Sequence, residues 1–198
     1  MNAWGNKFPS NMKKYVLALA MLIAFAINSQ AQRISGGIKG GLNISDVAGI
    51  NGDNRLSGHI GVFLNSKLAS QWSIQPELLY SGQGQQFRVG NEEFTLALSY
   101  LQIPIMFQYH ATKQFYFDFG PQIGILLAAN QKNDDDKWEV DEYYQKTDVG
   151  LAFGVGIDIT RQVGIYGRYI VGLSDISKRN LPDYSNRVGQ IGLSFKLK

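Results

Sequence analysis

His59 and His110 are the only side chains in this 198-residue chain whose ordinary titration falls near neutral pH, and there is no cysteine. Without cysteine there is no disulfide, no thiolate nucleophile and no cysteine-based metal site. Nucleophilic catalysis needs a base within hydrogen-bond reach of the nucleophile, held by a third group. The patterns below place His59 inside the second strand near its long-loop end. They place His110 at the opposite end of the fourth, so the two cannot meet. No Gly-x-Ser-x-Gly elbow occurs. No glycine-rich phosphate loop and no basic stripe point to a nucleotide or a nucleic acid. The expectation is no catalytic residue, no cofactor site and no metal site.

The remaining chemistry is ionic. Three bases, Lys39, Arg168 and Lys196, and three acids, Glu77, Asp118 and Asp158, fall at inward positions of otherwise apolar alternating stretches. Counting from the short turns puts Lys39, Glu77 and Arg168 near one height, with Asp118, Asp158 and Lys196 lower. Such groups are expected to form a buried ion-pair network that fixes the fold, because a charge out of water needs a partner. The functional alternative is a proton or ion path, which ionisable groups at membrane depth bring to mind.

A second cluster lies in the segment 129–147: Asp134, Asp135, Asp136, Glu139, Asp141 and Glu142. Carboxylate oxygens suit calcium, but the spacing and glycine of an EF-hand loop are missing, so a solvated acidic loop is expected. Trp138, Tyr143 and Tyr144 beside it would be exposed aromatics for a partner or lipid headgroups, making Asp134, Asp135, Asp136, Trp138, Glu139, Tyr143 and Tyr144 a candidate contact loop.

These residues must be positioned by strands. In 148–159, bulky Val149, Leu151, Phe153, Val155, Ile157 and Ile159 alternate with Asp148, Gly150, Ala152, Gly154, Gly156 and Asp158. A strand puts such sets on opposite faces. The sparse face suits the inside of a narrow barrel and the bulky face suits lipid. Seven further stretches alternate likewise: 33–45, 57–67, 71–81, 98–110, 114–128, 163–173 and 187–198. Tight turns at 68–70, 111–113 and 160–162 alternate with long polar connections at 46–56, 82–97, 129–147 and 174–186, as in outer-membrane barrels. An even strand count puts both ends of the mature chain on the periplasmic side. Trp72, Tyr80, Tyr100, Tyr109 and Tyr184 are expected in aromatic girdles at the interfaces. Pro76, Pro104 and Pro121 fall inside strands, so each is expected at a bulge or near a rim, with the side-chain register flipping beyond it wherever a bulge is present.

Residues 12–31 read as a cleaved signal peptide: a basic Met12-Lys13-Lys14, an apolar run from Tyr15 to Ile27, and small residues before a cut at Gln32. The run is too short to span a bilayer. The start is Met1 or the better-placed Met12. Residues 1–31 are therefore the leader and 32–198 the barrel domain. The net charge of +3 resides in leader lysines; the rest has equal numbers of basic and acidic residues.

The segments GGIKGGLNIS (36–45), SIQPELLYSGQG (73–84), YLQIPIMFQY (100–109), FDFGPQIGILL (117–127), GLAFGVGIDI (150–159) and GRYIVGLSDI (167–176) come in the order of a known family. Through them the chain resembles the PorT-like outer-membrane β-barrels of the Bacteroidota. The resemblance implies fold and location, and links a few members to protein secretion. Many barrels end on an aromatic that the insertion machinery reads; here Phe195 stands nearest the end.

The expected fold is all-β: an eight-stranded, antiparallel, up-and-down transmembrane β-barrel. Eight strands leave an interior filled by side chains, which disfavours an open channel. The expected role is a non-enzymatic, monomeric outer-membrane scaffold with lipid, the insertion machinery and possible secretion or cell-surface proteins as partners. The alternatives are a secretion accessory, a soluble lipocalin-like carrier, and a small channel or embedded enzyme.

Overall fold

The computed structural model describes residues 34–49, 52–90, 92–133, 136–177 and 184–197. The expected leader, residues 1–31, lies outside them. Nine strands follow in order: β1 (Ile34–Ala48), β2 (Asp53–Lys67), β3 (Trp72–Val89), β4 (Glu92–His110), β5 (Phe115–Lys132), β6 (Lys137–Glu139), β7 (Thr147–Asp158), β8 (Val163–Gly172) and β9 (Ser185–Lys196). All pairings are antiparallel, and β1 bonds to β9 while β4 bonds to β5. Eight strands thus close a ring, and only the three-residue β6 stands outside it, on the far end of β5. Closure removes every long edge, which a strand in lipid requires because nothing there can pair its N–H and C=O groups.

Alternation decides which face is which. On β7, Val149, Leu151, Phe153, Val155 and Ile157 are exposed on the outer wall, while Asp148, Gly150, Ala152 and Gly156 are buried. β9 repeats this with Ile191, Leu193 and Phe195 outside and Gln190 and Ser194 inside. A soluble carrier needs the reverse, apolar inside and polar outside, so the lipocalin-like reading is excluded by the wall itself. Among the described residues no helix is long and apolar enough to cross a membrane; the strands do the crossing.

Two expectations are corrected. The first concerns the connections. Turns of 68–71, 111–114 and 159–162 are short as expected, but two of the long connections shrink. β1 runs to Ala48 and β2 starts at Asp53, while β3 and β4 reach Val89 and Glu92. The reading took polar residues for loop. Beyond the bilayer a strand faces water on its outer side, so polar residues continue the ladder. Gly90, at φ +65, makes the tip of the β3–β4 hairpin, in a conformation that a side chain disfavours.

The second concerns the prolines. Register is continuous across Pro76↔Ile105, Pro104↔Gln122 and Pro121↔Leu151, with no bulge at any of them. The ladder instead skips pairs, between Pro76 and Leu79 on β3 and between Pro104 and Phe107 on β4. Losing a bond locally is cheaper than an inserted residue, which would turn every later side chain to the wrong solvent. The two bulges fall toward the long-loop end, between Asn54 and His59 and between Ser99 and Tyr100. Past the second, burial on β5 shifts from Gly124 to Ala129, from even to odd positions.

Candidate functional site: the filled lumen

The midsection of the lumen holds four charged side chains from four strands. Lys39 Nζ donates to Glu77 at 3.0 Å, and Arg168 clamps the same carboxylate with Nη1 at 2.9 Å and Nη2 at 3.0 Å. Arg168 Nη2 also donates to Asp118 at 2.8 Å. All four are buried, and two acids balance two bases. Glycines make the geometry possible. Asp118 and Arg168 stand opposite Gly154 from either side, and a Cβ there would strike Asp118 Oδ1. Gly61 lies between Lys39 on β1 and Leu79 on β3, and a Cβ there would meet the Leu78 carbonyl. The bidentate fork suits arginine, whose planar donors match a carboxylate.

Asp158 and Lys196 do not join this group. They pair with each other at 2.6 Å, nearer the turn end, with partly exposed side chains. Asp118, expected at their lower level, instead sits with Arg168.

His59 faces the lumen just beyond the ionic group. The Asn43 amide oxygen can only accept, so His59 Nδ1–H donates to it at 2.6 Å. Nε2 then accepts from the Tyr166 hydroxyl at 2.5 Å, and Lys39 Nζ lies 3.9 Å from the centre of the Tyr166 ring. His110 is in a separate network at the turn end, with Nε2 3.0 Å from Ser73 Oγ. That contact has the composition of a nucleophile and its base. Ser73 is fully buried, however, and its hydroxyl also reaches Gln108 Oε1 at 3.2 Å, which leaves no face for a substrate.

The long-loop end is closed differently. Val47, Leu96, Leu98, Tyr100, Ala129 and Ile176 form one buried apolar cluster, with Phe87, Leu126, Val140, Tyr144 and Tyr184 packed against it. Tyr100 was expected in a lipid-facing girdle; it points inward and is fully buried, because it occupies the inward parity of β4. Tyr184 likewise packs on the cluster. Trp72, 5.1 Å from Tyr109 between ring centres, remains an outer-wall pair at the turn end. Two loops are tied down over this plug. Asp141 accepts from the Ala129 N–H, and Gln145 N–H donates to the Ile176 carbonyl. Asp175 accepts from the N–H groups of Ser177 and Tyr184, which hold its carboxyl below the usual range.

Of the candidate contact loop, Asp134 and Asp135 lie outside the described residues. Asp136, Trp138, Glu139 and Tyr143 are exposed, with Trp138 carried on β6. Tyr144 is not a surface aromatic: it is half-buried against the plug, and burial pushes its phenol up to about 12. Among the described residues no group of three or more acids or histidines is placed to hold a metal ion.

Sequence reasoning missed one charged residue. Asp148 is buried inside the barrel, accepting from Ser174 Oγ at 2.9 Å and Asn186 Nδ2 at 2.8 Å. Its inward parity on β7 was the available signal.

Residues 28–178 match the outer membrane protein beta-barrel domain. No curated protein matches the chain significantly. Among solved structures, Neisserial surface protein A gives a TM-score of 0.54 at 8% identity, covering 85% of this chain and 100% of that one. The attachment invasion locus protein Ail of Yersinia pestis gives 0.48 at 13% identity, covering 82% and 98%. The outer membrane protein OprG of Pseudomonas aeruginosa gives 0.40 at 13% identity, covering 84% and 95%. At such identity the likeness to the Neisserial protein concerns fold alone. With a closed ring of strands, an apolar outer wall and a family match over most of its length, the chain belongs to the outer membrane protein beta-barrel domain family, and its place is the outer membrane.

Proposed function

We propose that this barrel is a non-conducting, non-enzymatic scaffold that presents its long-loop end outside the cell, with both ends of the mature chain in the periplasm. The observation that carries this reading is double closure of the lumen. The Lys39–Glu77–Arg168–Asp118 group fills the midsection, and the apolar cluster around Leu98 and Ile176 fills the mouth. Ions meet no continuous aqueous path, and a substrate meets no open nucleophile. What the mouth offers to a partner is the face bearing Trp138 and Tyr143, which expose aromatic surface above the plug. The barrel acts as a monomer, delivered to the membrane by the insertion machinery, with lipid around its wall.

The test is conductance in planar lipid bilayers. The refolded chain is expected to give no discrete current steps at 100 mV in molar potassium chloride. Regular open-channel steps would overturn the reading in favour of a channel. A second reading, an accessory role in protein secretion, rests on the PorT-like order of the six segments named above. Cross-linking through a photoreactive residue at Trp138 in intact cells tests it: capture of secretion components supports it, and capture of none removes it.

A further inference from the structure

We propose that the three short turns form a docking rim for anionic phospholipid headgroups. The inference rests on the wall facing lipid and not on the closed lumen, so a channel would leave it standing. Each turn carries one exposed base: Lys67 at the first, Lys113 at the second and Arg161 at the third. None of the three enters a salt bridge among the described residues. The other charged pair at this end, Asp158 and Lys196, cancels itself. The long-loop end differs, because exposed acids and bases mix there. Glu92 and Glu93 share the β3–β4 hairpin with Arg88, and Glu139 and Glu142 follow Lys137. The turn end is therefore the end with a single sign of charge.

Backbone geometry holds the bases in place. The second and third turns repeat one pattern, Thr112-Lys113-Gln114 and Thr160-Arg161-Gln162. In each, the threonine N–H donates to the carbonyl three residues on, Phe115 at 3.2 Å and Val163 at 3.0 Å. The Thr112 hydroxyl accepts from the N–H groups of Gln114 and Phe115 at 3.2 and 2.9 Å. The Thr160 hydroxyl accepts from those of Gln162 and Val163 at 3.1 and 2.9 Å. Lys113 and Arg161 thus occupy the same tip position in two matching turns. Neighbouring strands then lace the rim together. The carbonyls of Gln71, Gln114 and Gln162 accept from the N–H groups of His110, Asp158 and Lys196 at 2.8, 2.9 and 2.7 Å. The turn backbone is ordered before a ligand arrives, which lowers the entropy lost on binding.

Height selects lipid as the source of the anion. Leu68 follows Lys67, Phe115 lies two residues beyond Lys113, and Ile159 lies two residues before Arg161. Leu68 and Ile159 are exposed. Two residues of strand span at most about 7 Å, so each base stands just past the end of the apolar wall. The Trp72–Tyr109 pair marks the same level with amphipathic rings. Headgroup phosphates occupy that layer, and long basic side chains lay their stems on the wall while the charge meets the phosphate. A base at an anionic surface gains about fivefold in affinity.

The experiment reads the lipid shell by tryptophan quenching in vesicles of equal parts phosphatidylglycerol and phosphatidylcholine. The full chain carries Trp4→Phe and Trp138→Phe, so that Trp72 reports the turn end. Bromine is placed on the chains of one lipid or of the other. Brominated phosphatidylglycerol is expected to quench more strongly, with a selectivity of at least about fivefold. The selectivity is expected to disappear in about 1 M salt, where the Debye length shrinks to about 3 Å. Lys67→Gln, Lys113→Gln and Arg161→Gln together are expected to abolish it. Trp72→Phe with Val149→Trp moves the reporter to the long-loop end of the outer wall, where no selectivity is expected. Equal quenching of Trp72 by the two lipids would overturn the proposal. So would a selectivity that survives the triple substitution, or one that is equal at position 149. The first point is decided with all three bases in place, so a variant that fails to fold leaves the proposal falsifiable.

Discussion

In the middle of the barrel Lys39, Glu77, Asp118 and Arg168 fill the lumen with charge; at the mouth Val47, Leu96, Leu98, Ala129 and Ile176 fill it with hydrocarbon. The two regions solve one problem, closing a narrow cylinder, under different constraints. At the midsection lipid solvates the outer face, so the apolar residues are spent on the wall. The inside is then filled mainly by glycine and polar groups, with one small apolar cluster of Met106, Ala152, Ile170 and Val188 among them. Above the bilayer the outer face is wet, and apolar residues are free to turn inward and pack as in a soluble core. The same strands therefore invert their sidedness along their length: β4 carries Ile103, Ile105 and Phe107 outward, then Tyr100, Leu98 and Leu96 inward. The lesson is that inward and outward are fixed by parity, while apolar and polar are fixed by height.

The comparison breaks first at the charged region. Glu77→Ala leaves Lys39 without its buried acid and Arg168 with Asp118 alone, and is expected to cost about 3–5 kcal/mol in urea-induced unfolding from detergent or lipid. Replacing all four groups by Lys39→Met, Glu77→Leu, Asp118→Leu and Arg168→Met is expected to recover most of that loss, since no uncompensated charge remains. A quadruple variant as unstable as the single one would mean that the pairing itself, not compensation, supplies the stability.

Leu98→Ala sharpens the other side. It opens a cavity in the plug and is expected to cost about 2–4 kcal/mol in the same unfolding assay. Its accompanying signature is faster proteolysis of the loop following Gly172, which Ile176 anchors to the cluster. Glu77→Ala is expected to leave that cleavage rate nearly unchanged, because the two regions share no side chain.

The smallest effect is reserved for charge outside both regions. Arg88 and Glu93 pair at 3.6 Å across the hairpin near its tip, with mostly exposed side chains. Arg88→Ala is expected to change unfolding by less than about 1 kcal/mol. A loss matching that of Glu77→Ala would show that burial is not what separates the two ion pairs.

How far the sequence carried can be read from particular residues. Strand number, order and sidedness were legible because lipid enforces a period-two pattern without exception in 148–159 and 191–197. The ends of the strands were not legible. Gln83, Gln85 and Thr95 look like loop residues, yet they continue the ladder where water replaces lipid. The prolines misled because the cost of flipping the register past Pro76, Pro104 or Pro121 appears only once the whole barrel is considered. Lys39, Glu77 and Arg168 were placed at one height by counting from turns. Counting could not show that Asp118 leans toward Arg168 across Gly154 while Asp158 turns to Lys196. The apolar plug was invisible for a related reason: Leu96 and Ile176 come from segments read as loops and Leu98 from the very start of a strand reading, and three-dimensional packing alone brings them together.

The whole account depends on which solvent the bulky rows meet. A chain beginning at Gln32, with Trp72 and Trp138 replaced by phenylalanine, would carry a single tryptophan at Phe153 on the outer wall or at Phe63, which is buried in the lumen. Both are reconstituted into bilayers containing brominated lipid. Strong quenching at position 153 with little at position 63 is the predicted result; equal quenching, or the reverse order, would contradict the barrel's assigned faces.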